Sequence, residues 1–158
     1  MLANHNNDMK VTMKIVLLPY DGSEPAKRAL EYLTNFAKEH SSFTVHILNV
    51  QPEPRMYGRG RTSILIDVLQ QLRDDAREHA AEIAEEAAIQ LRAAGIECTT
   101  HASVSPDTVH EVNRIIKENG CDTVVMGTRG MGGLGNLLLG SMATQVIHSV
   151  DIPVMLIK

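Results

Sequence analysis

Four short, almost uninterrupted apolar runs recur along the chain, KIVLLP at 14–19, FTVHILNV at 43–50, DTVVM at 122–126 and IPVMLI at 152–157. Each is too short to be an independent helix. A half-exposed strand would alternate polar and apolar residues, whereas a continuous run such as KIVLLP reads as a strand buried on both faces. IECTTHASV at 96–104 adds a more polar fifth run. The stretches between the runs carry helical spacing, and strands alternating with helices confine the chain to an α/β fold with a parallel sheet.

The helices show in their caps and periods. After the first run, Ser23 is a suitable N-cap, Glu24 and Pro25 fit a first turn, and Ala26, Ala29, Leu30, Leu33 and Phe36 or Ala37 follow at helical intervals. QPEPRMYGRGRTS at 51–63 reads as a long loop. Leu65, Leu69, Leu72, Ala76, Ala80, Ile83, Ala87 and Leu91 then step by three or four toward Gly95, a suitable stop for a long helix. Ser105 and Pro106 are expected to open a third helix through Val109, Val112 and Ile116 to Gly120, and Ser141 to cap a fourth reaching about Val150. The polar opening MLANHNNDMKVT lacks the apolar core of a secretory signal and reads as a flexible tail over 1–12, leaving 13–158 as a single domain.

These elements predict an open five-stranded parallel sheet in the order 3-2-1-4-5 with helices on both faces, a Rossmann-like arrangement. The first and fourth strands, as the most continuously apolar, belong at the centre, and the polar third strand at an edge. A ligand would then sit beyond the carboxyl ends of strands one and four, where the winding reverses. Those ends carry Asp21 and a glycine-rich segment.

Composition narrows the chemistry. Apolar residues make up 44% of the chain but aromatics only 3%, so the core must be aliphatic, and with no tryptophan a stacking site is poorly served. A formal charge of −4 disfavours a dedicated DNA or RNA binder. Cys98 and Cys121 lack a CxxC spacing and read as buried reduced thiols, and the seven histidines form no HxxxH pair. No run reaches the length of a membrane span, so a soluble cytoplasmic protein is expected.

The glycine-rich segment, GTRGMGGLGNLLLGS at 127–141, holds six glycines yet encloses three consecutive leucines, which suits an ordered loop better than a linker. Gly130, Gly132 and Gly135 match GxGxxG. That dinucleotide fingerprint opens the first strand-turn-helix and is followed by an acid ending the next strand, whereas here it follows the fourth strand and Asp151 precedes the last. NAD and FAD are therefore disfavoured. GNLLLGS at 135–141 resembles a Walker A loop without its lysine, which removes a central charge of a P-loop ATPase. What remains is an anion nest of backbone amides, a helix N-terminus and the Ser141 hydroxyl. The alternative is that the glycines only make a compact loop.

Gly127 and Gly130, nine residues, then Gly140 and Ser141 reproduce G-x2-G-x9-G-[ST], and with KIVLLPYDGSE and SMATQVIHSVDIPVMLIK at the two ends the chain resembles the ATP-binding branch of the universal stress protein family. The resemblance implies that Pro19 and Asp21 line a pocket, with Asp21 accepting from a ribose hydroxyl, and that Val50 holds adenine through its backbone. Gly127, Thr128, Arg129, Gly130, Met131, Gly132 and Gly133 would wrap the ribose and phosphates, and Gly140, Ser141, Met142 and Ala143 complete the cradle. One departure is Ser105 before Pro106, where the family often has glycine; it would stiffen or narrow the pocket rim.

The expected ligand is ATP, or AMP or ADP, with Mg²⁺ held through the phosphates and Asp21 able to assist. No second carboxylate or glutamine is placed by the motif beside a γ-phosphate, so a nucleotide-dependent regulatory module is expected rather than an efficient enzyme, with slow hydrolysis or self-phosphorylation as the alternative. Arg129 either adds charge near the phosphates or is solvated, and Arg55, Arg59 and Arg61 fit a solvated loop better than a cover over the ligand. A flavin carrier is disfavoured because only Tyr20 and Tyr57 lie near the expected ligand end. The apolar last strand, at an edge, is expected to pair from Pro153 to Ile157 with a second copy, as the resemblance also implies; coverage by the N-terminal tail is the alternative.

Overall fold

The computed structural model of the chain describes residues 13–40, 42–55, 63–128 and 139–158. Its elements are β1 (Ile15–Pro19), α1 (Glu24–Phe36), β2 (Thr44–Gln51), α2 (Ser63–Ala93), β3 (Glu97–Val104), α3 (Thr108–Asn119), β4 (Thr123–Gly127), α4 (Ser141–Ser149) and β5 (Val154–Ile157). The strands form one parallel sheet in the order β3-β2-β1-β4-β5. This is the predicted fold and order.

The alternation of side chains along each strand produces two separate cores. On one face Val16, Leu18, Val45, Ile47 and Val125 meet Leu30 and Leu33 of α1 and Ala84, Ala88 and Leu91 of α2. On the other, Leu17, Leu48, Val124 and Met126 meet Val112 and Ile115 of α3 and Ala143 and Val146 of α4. Most of the core is aliphatic, with Tyr20 and Phe43 buried in the first cluster. Cys121 is buried in the second core, which pushes its thiol up to about 11, while Cys98 is only partly buried.

Two helix starts differ from expectation for local reasons, and one helix packs over only part of its length. Helix α3 does not open at Ser105 and Pro106: Asp107 is its N-cap, its carboxylate accepting from the His110 amide at 2.9 Å. Carboxylates outrank most groups at that position. Helix α4 is capped by Gly140, with Ser141 as its first residue. In α2 the apolar period extends beyond the packed surface, because 31 residues make a rod about 46 Å long while the eight-residue strand β2 spans about 26 Å. Burial accordingly begins at Ala80, and Ile66, Val68 and Leu72 stay exposed.

Gly127 has a packing role that its motif position concealed. A Cβ built there would lie 2.5 Å from the carbonyl carbon and 2.6 Å from the Cβ of Pro25. The first turn of α1 therefore rests directly on the end of β4, and only glycine permits the approach. Gly127→Ala should destabilise the protein by about 1–3 kcal/mol through overpacking, read as a lowered urea midpoint; an unchanged midpoint would show that the contact is looser than this geometry.

Candidate functional site

The crevice begins where two central strands stop sharing hydrogen bonds. β1 pairs with β2 along its whole length, from Ile15 opposite Thr44 to Pro19 opposite Leu48, but pairs with β4 only at Val16 and Leu17. Pro19 has no N–H to offer, so it suits the point at which a central ladder ends. Above it the chain is held to β2 alone. The Tyr20 amide donates to the Leu48 carbonyl at 2.9 Å, and the Asn49 side-chain amide donates to the Tyr20 carbonyl at 2.8 Å.

That clamp sets the path of the next residues. Asp21 accepts from the Ser23 amide at 3.0 Å, Gly22 takes φ +75°, and Ser23 caps α1 through the Ala26 amide at 3.4 Å. The left-handed turn at Gly22 is one that glycine adopts without steric cost. Asp21 thus emerges at the carboxyl end of β1. Tyr20 turns away from the crevice into the α1 and α2 core, where its hydroxyl donates to Glu86 Oε1 at 3.3 Å. Burial first, and then the Glu86 carboxylate, push its phenol up to about 12. Its ring is unavailable for stacking on a ligand.

On the far side, Thr128 extends β4 by donating its amide to the Ile157 carbonyl at 3.0 Å, and its own carbonyl accepts from the Gly140 amide at 2.8 Å. This last bond joins the strand end to the start of α4 across the glycine-rich segment. Gly140 caps α4 with no side-chain hydrogen bond, and the first amide within the helix to bond back is that of Thr144, to the Gly140 carbonyl at 3.1 Å. The Ser141, Met142 and Ala143 amides occupy the first turn, where a helix presents donors and the positive end of its dipole.

A cavity of about 360 Å³ opens between the ends of β2 and β3, lined by Val50, Pro52, Glu53, Arg55, Ser105, Pro106 and Thr108. Glu53 is tied to α2 by an ion pair with Arg73. The Ser105 hydroxyl accepts from the Asp107 amide at 3.2 Å, so the serine is built into the turn that starts α3.

The expected site residues therefore fall into groups. Pro19 and Asp21 end β1, Gly127 and Thr128 end β4, and Gly140, Ser141, Met142 and Ala143 start α4 beside Thr128. Val50 lies one strand over, in the cavity wall, with Arg55. Arg129, Gly130, Met131, Gly132 and Gly133, together with Tyr57, Arg59 and Arg61, lie outside the described residues. Asn49 was missed by sequence reasoning, although a lone amide within the apolar run FTVHILNV is a visible signal. It is buried, and its side-chain oxygen accepts from Gln51 Nε2 at 2.9 Å while its nitrogen serves Tyr20.

An open parallel sheet whose crevice lies at the β1/β4 reversal defines the doubly wound α/β class, in which ligands occupy that position. The chain belongs to the Universal stress protein family, whose profile matches residues 12–158. Universal stress protein MJ0577 of Methanocaldococcus jannaschii is 28% identical over 160 residues, spanning 95% of this chain and 98% of its own. A solved structure of MJ0577 superposes with a TM-score of 0.79 at 27% identity, covering 92% of this chain and 96% of that one. The fold is shared with an Arabidopsis thaliana family protein, At3g01520, solved with AMP bound (TM-score 0.59, 19% identity, 92% and 91% covered). It is also shared with a universal stress protein solved in complex with cAMP (TM-score 0.61, 19% identity, 92% and 97% covered).

The orientation of Tyr20 has a spectroscopic consequence. Of the three tyrosines, one should ionise only near pH 12 in an ultraviolet phenolate titration, and Tyr20→Phe should remove that late step. Since the folded phenol holds its proton past the unfolded value of about 10, the associated stability is present below pH 10 and is lost as pH rises toward 12. A titration complete by about pH 10.5 would show that Tyr20 faces solvent.

Proposed function

We propose that the chain is a nucleotide-dependent regulatory protein of the stress-response type, binding ATP, or AMP or ADP, in the crevice between the ends of β1 and β4. The observation that carries this reading is the first turn of α4, left without a side-chain cap and fastened beside the end of β4 by the bond from Gly140 to Thr128. Amides so placed suit a phosphate better than any neutral group. The cavity beside Val50 offers room for a base, and Asp21 at the end of β1 supplies an acceptor for a ribose hydroxyl. AMP and cAMP in two proteins of this fold support an adenine nucleotide.

Phosphates bound here would bring Mg²⁺ with them, and Asp21 is the carboxylate able to assist. Among the described residues no three His, Cys, Asp or Glu side chains converge on one point, so the ion would depend on the phosphates for most of its ligands. The reading is of binding and not of turnover, since hydrolysis needs a group that positions the attacking oxygen and the sequence motif supplies none. A change in what the protein contacts then follows from any difference in affinity between its filled and empty shapes. A cytoplasmic setting suits its two unbridged thiols. No described helix is long and apolar enough to cross a membrane.

We also propose a homodimer through β5. The carbonyls of Pro153 and Ile157 point to β4, so by alternation the backbone groups of Val154 and Leu156 point outward from the sheet edge. An unpaired edge of this composition invites pairing with a second copy.

Two measurements test these readings. Ser141→Asp leaves α4 intact, because an acid in the first turn favours a helix by about 0.3–1 kcal/mol, yet it places a negative charge in the phosphate cradle. ATP affinity measured by calorimetry should fall at least about tenfold; equal affinity for both proteins would remove the cradle from the site. Leu156→Pro deletes one outward N–H at the edge and should shift the sedimenting species from dimer to monomer while the circular dichroism spectrum is kept. A variant that remains dimeric would place the interface elsewhere.

A further inference from the structure

Away from the crevice, His46 on β2 and His101 on β3 form a pair whose geometry is specific. His46 Nδ1 and His101 Nε2 are 2.8 Å apart. The ring planes meet at 20° and the centroids are 5.1 Å apart. The centroid separation exceeds the nitrogen separation by about the sum of the two ring radii, so both nitrogens lie on the line joining the rings. One ring donates an N–H along that line and the other accepts it, which requires the accepting ring to be neutral. Lone pairs that face each other in this way do not converge on a third point, so the arrangement holds a proton and not a metal ion.

The surroundings place the pair on the α3 side of the sheet. Ser103, two residues along β3 on the same face as His101, donates its hydroxyl to Glu111 at 2.8 Å and accepts from Arg114 at 3.3 Å. Arg114 also holds Glu111 at 2.8 Å and Glu118 at 2.7 Å. From α3, then, Arg114 and Glu118 act on His101, with Glu111 bound to Arg114 behind them. β1 contributes only apolar residues to this face, Ile15 and Leu17, and α2 covers the opposite one.

We propose that the His46–His101 pair is a proton-operated latch between β2 and β3, closed while at least one ring stays neutral to accept the hydrogen bond and released when both become cations beside Arg114. Burial lowers the pKa of His46, and burial together with the charges of His46 and Arg114 lowers that of His101 against the opposing pull of Glu118. Since the unfolded chain takes up protons first, this stability is complete above the ordinary histidine value of about 6.5 and is lost as pH falls below it. The latch is independent of what the crevice binds.

The test uses the full chain without ligand. The urea midpoint of the wild type should fall between pH 7.5 and 5, and His101→Gln, folded at pH 8 by circular dichroism, should lose at least about half of that slope. In the wild type itself, ring resonances should show both His46 and His101 titrating below the ordinary value, and amide exchange at pH 5.5, corrected for its intrinsic rate, should accelerate in the edge strand β3 before it does in β1 and β4. An undiminished slope in the variant, an ordinary or raised midpoint for either ring, or uniform acceleration across the sheet would each overturn the latch.

Discussion

β1 and β4 are bonded to each other only at their base, and this is what parts their carboxyl ends. Two neighbouring central strands would ordinarily pair to their ends, and here the ladder stops at Leu17 while β1 continues against β2 to Pro19. Above that point each strand is tied to its outer neighbour, Tyr20 to Leu48 and Thr128 to Ile157. The opening is therefore held from both sides. Gly127 completes it by letting the first turn of α1 lie on the end of β4, which fixes the turn through Gly22 against a strand and not against a mobile loop. A side chain at 127 would push α1 outward and disturb Asp21 together with the core beneath it.

What such an opening can grip follows from which groups it presents. Ser23 caps α1 through the Ala26 amide and so uses up one donor at that helix start, whereas Gly140 has no side chain with which to cap α4. Two helix starts on neighbouring strands thus differ in what they leave for a ligand. The contrast leaves the amides of Ser141, Met142 and Ala143 at the start of α4 without a side-chain cap, and places an acid, Asp21, after the end of β1. Asn49 acts one layer behind, since its amide satisfies the Tyr20 carbonyl that the end of the ladder would otherwise leave without a partner. Burying such a group unpaired costs about 1–3 kcal/mol, which is reason enough for an amide inside an apolar strand.

Strand positions and order were legible in the sequence because burial on both faces writes itself as unbroken Val, Ile and Leu, and a parallel sheet leaves few ways to arrange five such runs. Polar turn chemistry was less so. Asp107 and Ser105 are both good caps within three residues of Pro106, and only the position of α3 against β1 and β4 decides that Asp107 performs the capping. The period in α2 reads identically where a sheet lies beneath it and where none does, so Leu72 and Leu91 look alike in sequence and differ in burial. Gly127 carried two meanings at once, a motif letter and a close contact, and only the coordinates of Pro25 separate them. The His46–His101 pair is seen only once the β2–β3 register is known, with His101 opposite Leu48 and His46 opposite Thr99.

For a filled and an empty crevice to present different surfaces, some element beside it must be weakly enough attached to move. The central strands β1 and β4 are not candidates, being buried on both faces. The first half of α2 is: it runs past the sheet, exposes Ile66, Val68 and Leu72, and is joined to the cavity wall by the ion pair of Arg73 with Glu53. With the two side chains 43% and 34% exposed, that pair contributes only about 0–1 kcal/mol. An interaction of this size can be remade without threatening the fold, whose stability resides in the two cores further down. The packed half of α2, from Ala80 onward, stays anchored meanwhile. Division of one helix into an anchored half and a lightly tethered half means that the outer half can shift without any rearrangement of the sheet.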